Sequence, residues 1–374
     1  TVVLLAVVIV LLEVVAGWLL KKQASAVNAA ANLTETAYDS MTWKDQYFSD
    51  VRAYQAATGG QQVYEPYSLW KNPDFSSKTF TVEGGYRKTV QAAYNQAYNQ
   101  DDSTVVNVWM FGGSTMFCAD TPDEWMISSR LALKLKEAYP RKKFVIQNYG
   151  LPGFVNDQET VLLSRLLMQG KRPDVVIFYD GFNEGHLKVA MTKPTPHGFY
   201  NLYDQIYRSI KERLWANLVW KSSLLTLVMR ARNDGIQFEK DENILKSSSE
   251  EVCTSYIGAM QFVQNLANAY NFKAYFFWQP SLLTAPKPLN SAETALKTMM
   301  RESNGKGYEI LLETVCRRIF DNPQYPIKTA FNINNALENV KETAFVDYAH
   351  LGPYGNEAIA ASMLQCLQQS GFQP

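Results

Sequence analysis

The amino-acid sequence predicts an α/β fold in which helices cover the faces of a parallel sheet. Two observations support this prediction. Short apolar runs with the length of buried strands recur along the chain, and segments with the helical spacing of apolar residues separate them. The order strand, helix, strand, helix, strand between residues 105 and 179 is typical of parallel sheets, whose neighbouring strands are joined by helices.

Each predicted element has a local signal. The predicted strands, in order, are 105–111 (VVNVWMF), 144–147, 174–179 (DVVIFY), 272–278 (FKAYFFW) and 344–346. The predicted helices are 122–139, 157–168, 251–270 and 356–368. Pro140 ends the first helix because it cannot continue a hydrogen-bonded turn, and Gly170 follows the end of the second.

Composition excludes two broad classes of protein. Of the 374 residues, 47% are hydrophobic and 19% are charged, so the chain is too apolar to be disordered. Lys and Arg number 36, and Asp and Glu also number 36, so the formal net charge is zero. Without a global positive field to hold phosphates, we expect no nucleic-acid partner.

The sequence carries no motif for a metal or a cofactor. There are three histidines, His186, His197 and His350, and no His-Glu-x-x-His pattern. No Gly-x-Gly-x-x-Gly or phosphate-loop motif occurs, and the 4 cysteines form no Cys-x-x-Cys pair. We therefore expect no metal and no cofactor, and we interpret His186 and His197 as incidental.

The chain opens with an apolar run that is long enough to cross a bilayer. Residues 1–20 are almost entirely apolar, and Lys21 and Lys22 follow directly. A helix of this length spans about 30 Å, and Trp18 and the lysines suit a membrane interface. We expect residues 1–22 to be a single-pass transmembrane anchor. A cleaved signal peptide is the alternative, although its apolar region is usually shorter.

Glu13 lies inside this run, where an ionisable group is costly. It indicates either a contact with another membrane protein or a carboxyl without any partner. The orientation of the anchor is weakly specified, because Lys21 and Lys22 alone favour a cytoplasmic main domain.

The rest of the chain is expected to divide into two parts. Residues 23–104 are predicted to form a stalk and an aromatic-rich lead-in, and residues 105–374 one domain with insertions near 186–250 and 281–340. The first insertion mixes aromatic, leucine and basic residues. It fits a lid, a pair of amphipathic helices facing the membrane, or ordinary helices packed on the domain.

Candidate catalytic residues follow the predicted strands, and ligands of open parallel sheets bind at the carboxyl ends of strands. Ser114 follows the first strand, Gly150 the second and Asn183 the third, while Asp347 and His350 follow the last. A serine hydroxyl needs a base, His350 can supply it, and Asp347 can orient that base. The Ser114 amide, the Gly150 amide and the Asn183 side chain are candidate donors to an oxyanion.

Each of these residues also has an ordinary structural interpretation. Ser114 is suited to cap a helix, His350 could be a surface histidine, and Asn183 is a common turn residue. Their joint occurrence in order at predicted strand ends favours the catalytic interpretation.

Four sequence blocks resemble those of the SGNH hydrolases, also called the GDSL lipase and esterase superfamily. The blocks are Phe111-Gly112-Gly113-Ser114-Thr115, the glycine of Asn148-Tyr149-Gly150, Gly181-Phe182-Asn183 and Asp347-Tyr348-Ala349-His350. The resemblance implies a three-layer α/β/α, flavodoxin-like fold, a Ser114-His350-Asp347 triad and an oxyanion hole of Ser114, Gly150 and Asn183. The sequence departs from the family pattern in two places, with Gly113 where an Asp is usual and Glu184 where an Asp is usual.

Two functions are compatible with these features. The first is a membrane-anchored serine esterase or O-acyltransferase that acts on acyl esters of glycans, peptidoglycan or lipids. Because anchored proteins with similar blocks work outside the cytoplasm, we expect the main domain on the periplasmic or extracytoplasmic side. The second is a non-catalytic structural or assembly subunit of a membrane protein complex that retains the fold, with Glu13 at a contact.

Overall fold

A five-stranded parallel sheet forms the centre of the computed structural model, which describes residues 35–90, 104–189, 197, 200, 241–304, 307–321 and 327–374. Its strands are β6 (Val105–Gly112), β7 (Lys143–Asn148), β8 (Val175–Asp180), β9 (Lys273–Trp278) and β10 (Ala330–Asn332). The lateral order is β7-β6-β8-β9-β10, and every neighbouring pair is parallel. In order along the chain this is 2-1-3-4-5, the flavodoxin-like arrangement. The predicted fold class is confirmed, and so are four of the five predicted strands.

The prediction of a last strand at 344–346 is wrong. The fifth strand is β10, which lies in the predicted second insertion and pairs with β9 from Ala330 to Asn332. Residues 344–346 make only an isolated bridge between Phe345 and Leu351. The physical reason is that the Ala344 and Phe345 amides donate to the buried Glu293 carboxylate, at 2.9 and 3.1 Å, instead of to a neighbouring strand.

Helices cover both faces of the sheet. The helices are α1 (Lys44–Thr58), α2 (Ser114–Phe117), α3 (Ile127–Ala138), α4 (Asn156–Met168), α5 (Phe182–Val189), α6 (Glu242–Tyr270), α7 (Ser291–Asn304), α8 (Gly307–Phe320) and α9 (Pro353–Gln369), with 3-10 turns at Glu35–Tyr38 and Asp123–Trp125. Helices α4, α6 and α8 pack on one face, and α3 and α9 pack on the other. The four predicted helices correspond to α3, α4, α6 and α9.

The alternation of side chains along the strands creates these two cores. Phe111, Phe178 and Phe276 stack in a row on the α4, α6 and α8 side, with ring centroids 5.2 and 5.3 Å apart. Met110, Ile177 and Phe277 face the α3 and α9 side. Both faces of the sheet are therefore shielded from water, which explains why the strand sequences are predominantly apolar and do not alternate with polar residues.

The segment before the sheet packs against it. Two small antiparallel sheets, β1-β2 (Val63–Glu65, Leu69–Lys71) and β3-β4-β5 (Phe75–Ser76, Thr81–Glu83, Tyr86–Arg87), lie within the predicted lead-in. In helix α1, which falls in the predicted stalk, Tyr47 is buried against Phe80 and Phe117. This part of the predicted stalk is thus attached to the α/β domain, next to the helix that begins at Ser114.

The predicted anchor at 1–22, with Glu13, lies outside the described residues, and so does most of the predicted insertion at 186–250. Within the described ranges, no helix is long and apolar enough to cross a membrane.

Candidate active site

Ser114 lies at the carboxyl end of the interior strand β6, where the chain turns into α2. The two preceding glycines allow the turn to approach its neighbours closely. A Cβ at Gly112 would lie 2.7 Å from both Met116 and the Tyr179 carbonyl, and one at Gly113 would lie 2.2 Å from the Asn183 side-chain nitrogen. The Gly-Gly pair therefore brings Asn183 directly against the backbone that carries Ser114.

A continuous chain of hydrogen bonds joins Ser114, His350 and Asp347. The distance from Ser114 Oγ to His350 Nε2 is 2.7 Å, and from His350 Nδ1 to Asp347 Oδ2 it is 2.6 Å. The second carboxylate oxygen of Asp347 accepts the backbone amides of Ala349 and His350, at 2.8 and 2.7 Å. Because an ionised carboxylate only accepts hydrogen bonds, Asp347 fixes the proton of His350 on Nδ1 and turns Nε2 toward the serine.

The charges of the site favour the imidazolium form of His350. Burial lowers the pKa of His350, but the hydrogen bond and charge of Asp347, together with the charge of Asp120, outweigh burial and raise this pKa to about 9. Burial alone would raise the pKa of Asp347, yet its bonds to His350 and to the two backbone amides lower it on balance. The attraction between the carboxylate and the imidazolium contributes to both shifts.

The three candidate oxyanion donors differ in their present partners. The Ser114 amide donates to no acceptor in the part of the chain that the structure describes. Asn183 Nδ2 donates one hydrogen to the Phe154 carbonyl at 2.7 Å, which leaves its second hydrogen for a ligand. The Gly150 amide, however, donates to Asn148 Oδ1 at 2.9 Å, within its own turn.

Gly150 has a further role that the sequence did not reveal. A Cβ at this position would lie 2.6 Å from the Phe117 amide and 2.9 Å from the Met116 Cβ. The glycine therefore lets the turn after β7 pack against α2, and Asn148 fastens that turn by donating to the Met116 carbonyl at 2.8 Å. In this arrangement the ready donors are the Ser114 amide and the Asn183 side chain.

The four blocks that resemble the SGNH hydrolases thus meet at one edge of a flavodoxin-like sheet. Neither a scan against protein-family models nor a search of curated proteins found a match. Among solved structures, the chain is similar to the lipase Lip_vut3 from a goat rumen metagenome, with a TM-score of 0.39 and 13% identity over 71% of this chain and 98% of that one.

Two further similar structures come from named bacteria. One is a member of the lipolytic protein G-D-S-L family from Veillonella parvula, with a TM-score of 0.40 and 10% identity over 71% of this chain and 99% of that one. The other is the esterase EstA from Pseudoalteromonas, with a TM-score of 0.37 and 11% identity over 70% of this chain and 97% of that one.

Glu184 connects two loops of the site. Its carboxylate is buried and accepts the Gly181 amide at 2.7 Å and the Asn156 amide at 2.9 Å. The neighbouring Asn183 binds the Phe154 carbonyl in the same loop. Glu184 therefore holds the start of α5, which carries Asn183, against the start of α4.

The loop that carries Asp347 and His350 is held from several sides. Glu293 accepts two backbone amides just before this loop and also binds Lys287 at 2.7 Å, and both side chains of this ion pair are 0% exposed. Within the loop, Tyr348 stacks on Phe182 with ring centroids 5.1 Å apart. The buried pair of Glu293 and Lys287 thus holds the segment before Asp347, where we had predicted a strand.

His197 does not belong to this chain of hydrogen bonds. The ring of His197 lies 6.3 Å from that of Trp70, and burial lowers its pKa. His186 falls in α5, where the structure does not describe its side chain. Among the described residues, no group of three or more His, Cys, Asp or Glu is arranged to hold a metal ion.

Proposed function

We propose that this chain is a serine ester hydrolase or O-acyltransferase of the SGNH type. Ser114 is the nucleophile, and His350 is the general base and acid. Asp347 orients His350 and stabilises its positive charge. The observation that supports the proposal most directly is the unbroken hydrogen-bonded chain from Asp347 through His350 to Ser114 Oγ.

The reaction begins with neutral His350. Ser114 Oγ attacks the ester carbonyl carbon while its proton passes to His350 Nε2, and the carbonyl oxygen becomes an oxyanion. The Ser114 amide and the free hydrogen of Asn183 Nδ2 stabilise that oxyanion. When the tetrahedral intermediate collapses, His350 Nε2 returns the proton to the departing alcohol, and the acyl group remains on Ser114.

The second half releases the acyl group. His350 takes a proton from water or from a second alcohol, whose oxygen attacks the acyl carbon of the intermediate. Collapse of the new tetrahedral species breaks the bond to Ser114 Oγ, which recovers its proton from His350. Water as the acceptor gives hydrolysis and a carboxylic acid, and a sugar hydroxyl gives transfer to a new ester.

The proposal includes a place and a class of substrate. The apolar run at 1–20 would hold the domain at a bilayer, with the α/β domain on the periplasmic or extracytoplasmic side. The substrates would be acyl esters carried there by glycans, peptidoglycan or lipids. Accessibility of the domain to protease in intact cells would test the side of the membrane.

The enzymatic core of the proposal is tested with a fluorophosphonate probe, which reacts with activated serines. We expect the purified full chain to be labelled, and Ser114→Ala and His350→Ala to be silent. Ser247→Ala, which removes an exposed hydroxyl on α6, is the matched control and should be labelled like the wild type. A folded wild-type protein that resists the probe would overturn the proposal and leave the assembly-subunit hypothesis in its place.

A further inference from the structure

A second cavity lies at the same edge of the sheet as Ser114. Its volume is about 230 Å³. It is lined by the last residues of two strands, Trp278 of β9 and Asn332 of β10, and by Leu312 of α8. Neither the relay of Ser114, His350 and Asp347 nor the oxyanion donors line it, so its residues have no role in the proposed chemistry.

The position of this cavity relative to Ser114 follows from the sheet. Gly112, two residues before Ser114, is paired with Tyr179 of β8, and the next residue of β8, Asp180, is paired with Trp278, which in turn pairs with Asn332. Parallel strands are about 4.8 Å apart, so the cavity begins about 10 to 14 Å from the nucleophile along the sheet edge.

Between the two sites lies the loop that presents Asn183. A Cβ at Gly181 would lie 2.9 Å from the Trp278 ring, and one at Gly185 would lie 2.8 Å from the Leu312 side chain. The walls of the cavity are therefore in contact with the segment that carries the oxyanion donor. A ligand that extends from Ser114 past this segment would reach the cavity.

Among the residues that the structure describes, the lining is polar and carries no net charge, because Glu313 and Arg317 pair with each other at 3.2 Å. Thr284 and Asn334 bind each other through the Thr284 hydroxyl and Asn334 Oδ1 at 2.9 Å and through Asn334 Nδ2 and the Thr284 carbonyl at 2.8 Å, and Asn332 Oδ1 accepts the Asn334 amide at 3.0 Å. The side-chain hydrogens left for a ligand are therefore those of Asn332 Nδ2 and the second one of Asn334 Nδ2. The opposed charges cancel locally, which disfavours an ionic ligand.

One donor in this lining is left without a partner. Trp278 is 3% exposed, and its indole N–H has no hydrogen-bond acceptor among the residues that the structure describes. The nitrogen itself keeps accessible surface, so its hydrogen is available to a ligand in the cavity. Uncharged donors from two amides and an indole N–H beside an apolar wall match a molecule with many hydroxyl groups and one apolar face, as a sugar ring has.

We propose that this cavity binds one sugar ring of an O-acylated oligosaccharide whose ester reacts at Ser114. The volume is below the 300–1,000 Å³ typical of pockets for drug-sized ligands, so it suits one ring and not a long chain. Binding of this non-reacting ring would position the ester, an effect that appears in kcat/KM for long substrates only. The inference rests on the proposed function and narrows its substrate class to glycan esters.

The test compares a small ester with glycan esters. The substrates are 4-nitrophenyl acetate and four O-acetylated tetrasaccharides, each built from a single sugar: glucose, xylose, mannose or N-acetylglucosamine. The variants are Trp278→Phe, which removes the indole N–H, and Asn332→Ala, with Asn335→Ala as the matched control. Asn335 is exposed, lies three residues after Asn332 and does not line the cavity.

We expect at least one tetrasaccharide to be deacetylated, and each cavity variant to lower its kcat/KM by about 3- to 10-fold, which corresponds to the loss of one ordinary hydrogen bond. The double variant should lose about 10- to 100-fold by the same reasoning. Hydrolysis of 4-nitrophenyl acetate by Asn332→Ala should change less than about twofold, which also shows that this variant is folded. Because the Trp278 ring packs against Gly181, the loss in Trp278→Phe is measured on each tetrasaccharide relative to its loss on 4-nitrophenyl acetate.

The inference is overturned if 4-nitrophenyl acetate is hydrolysed but no tetrasaccharide is, or if the cavity variants process the tetrasaccharides as well as Asn335→Ala does. A selective loss on 4-nitrophenyl decanoate would also overturn it, because the cavity would then hold an acyl chain. Failure of the proposed function gives a different result, in which 4-nitrophenyl acetate is not hydrolysed and the fluorophosphonate probe does not react.

Discussion

The raised pKa of His350 predicts a steep increase in the reactivity of Ser114 between pH 7 and pH 9. Only the neutral imidazole can accept the serine proton, and the negative charge around it raises its pKa to about 9. With that value about 1% of His350 is neutral at pH 7 and half at pH 9, so the rate should rise about 50-fold. With an ordinary pKa of about 6.5 the same interval would change the rate less than about 1.5-fold.

The assay is the second-order rate constant of fluorophosphonate labelling, measured on the full chain from pH 6 to pH 10. Asp120→Asn removes a carboxylate that raises the pKa of His350, so the profile of this variant should move to lower pH. Glu124→Gln is the matched control, because Glu124 lies four residues after Asp120, is exposed and does not contribute to the raised pKa of His350. This variant should keep the pH profile of the wild type. A wild-type rate that is flat from pH 7 to pH 9 would refute the reasoning.

Three further predictions concern the groups around this relay. Asn183→Ala should lower the acylation rate about 100- to 1,000-fold through the loss of an oxyanion donor, measured as kcat/KM on 4-nitrophenyl acetate. An unchanged kcat/KM would show that Asn183 does not donate to the oxyanion. Asp347→Asn should cost about 10⁴-fold, as the equivalent change does in the serine-protease triad, and Asp347→Glu should recover part of that rate. Glu293→Ala should lower the free energy of unfolding, measured in urea, by about 3–5 kcal/mol because it leaves the buried Lys287 without its counter-charge. A loss below about 1 kcal/mol would show that Glu293 does not hold this segment.

Protonation of His350 also links stability to pH. Because its folded-state pKa is raised to about 9, the stabilisation from the charged pair is complete below the unfolded-state value of about 6.5 and is lost as pH rises through 9. Urea unfolding from pH 6 to pH 10 should therefore show a fall that is smaller in His350→Ala. Parallel profiles for the two proteins would show that the pair does not contribute.

Apolar periodicity was sufficient to predict four of the five strands, because buried parallel strands have no solvated face, and four of the five helices that cover them, with α8 as the exception. It failed at β10, an edge strand of three residues in which Asn332 is exposed and no continuous apolar run exists. It also failed at 344–346, where an apolar run is buried but its amides bind Glu293. The spacing of apolar residues indicates burial. It does not show whether the backbone amides of a buried segment donate to a neighbouring strand or to a buried carboxylate.

The relay residues were predictable because each residue type has a defined chemical role and follows an apolar run. The partners of those residues were not predictable. The engagement of the Gly150 amide by Asn148 depends on a local turn, and the contact of Glu184 with Asn156 joins positions 28 residues apart. Such contacts follow from tertiary placement, about which residue type and spacing contain no information.

The arrangement of the site explains why carboxylates that do not touch Ser114 are needed. Ser114 begins a helix directly after an interior strand, so the sheet fixes its position. Asn183 lies in the first turn of α5, after the bend at Gly181, and His350 lies in a loop that follows no regular strand, so both depend on turns. A turn has few backbone hydrogen bonds of its own, and its amides need acceptors when they are buried. Glu184 and Glu293 each supply two such acceptor contacts, one beside Asn183 and one before the loop of His350. The reactive atoms are thus held by the sheet on one side and by buried carboxylates on the other, and a change at either carboxylate should affect catalysis without contact with the substrate.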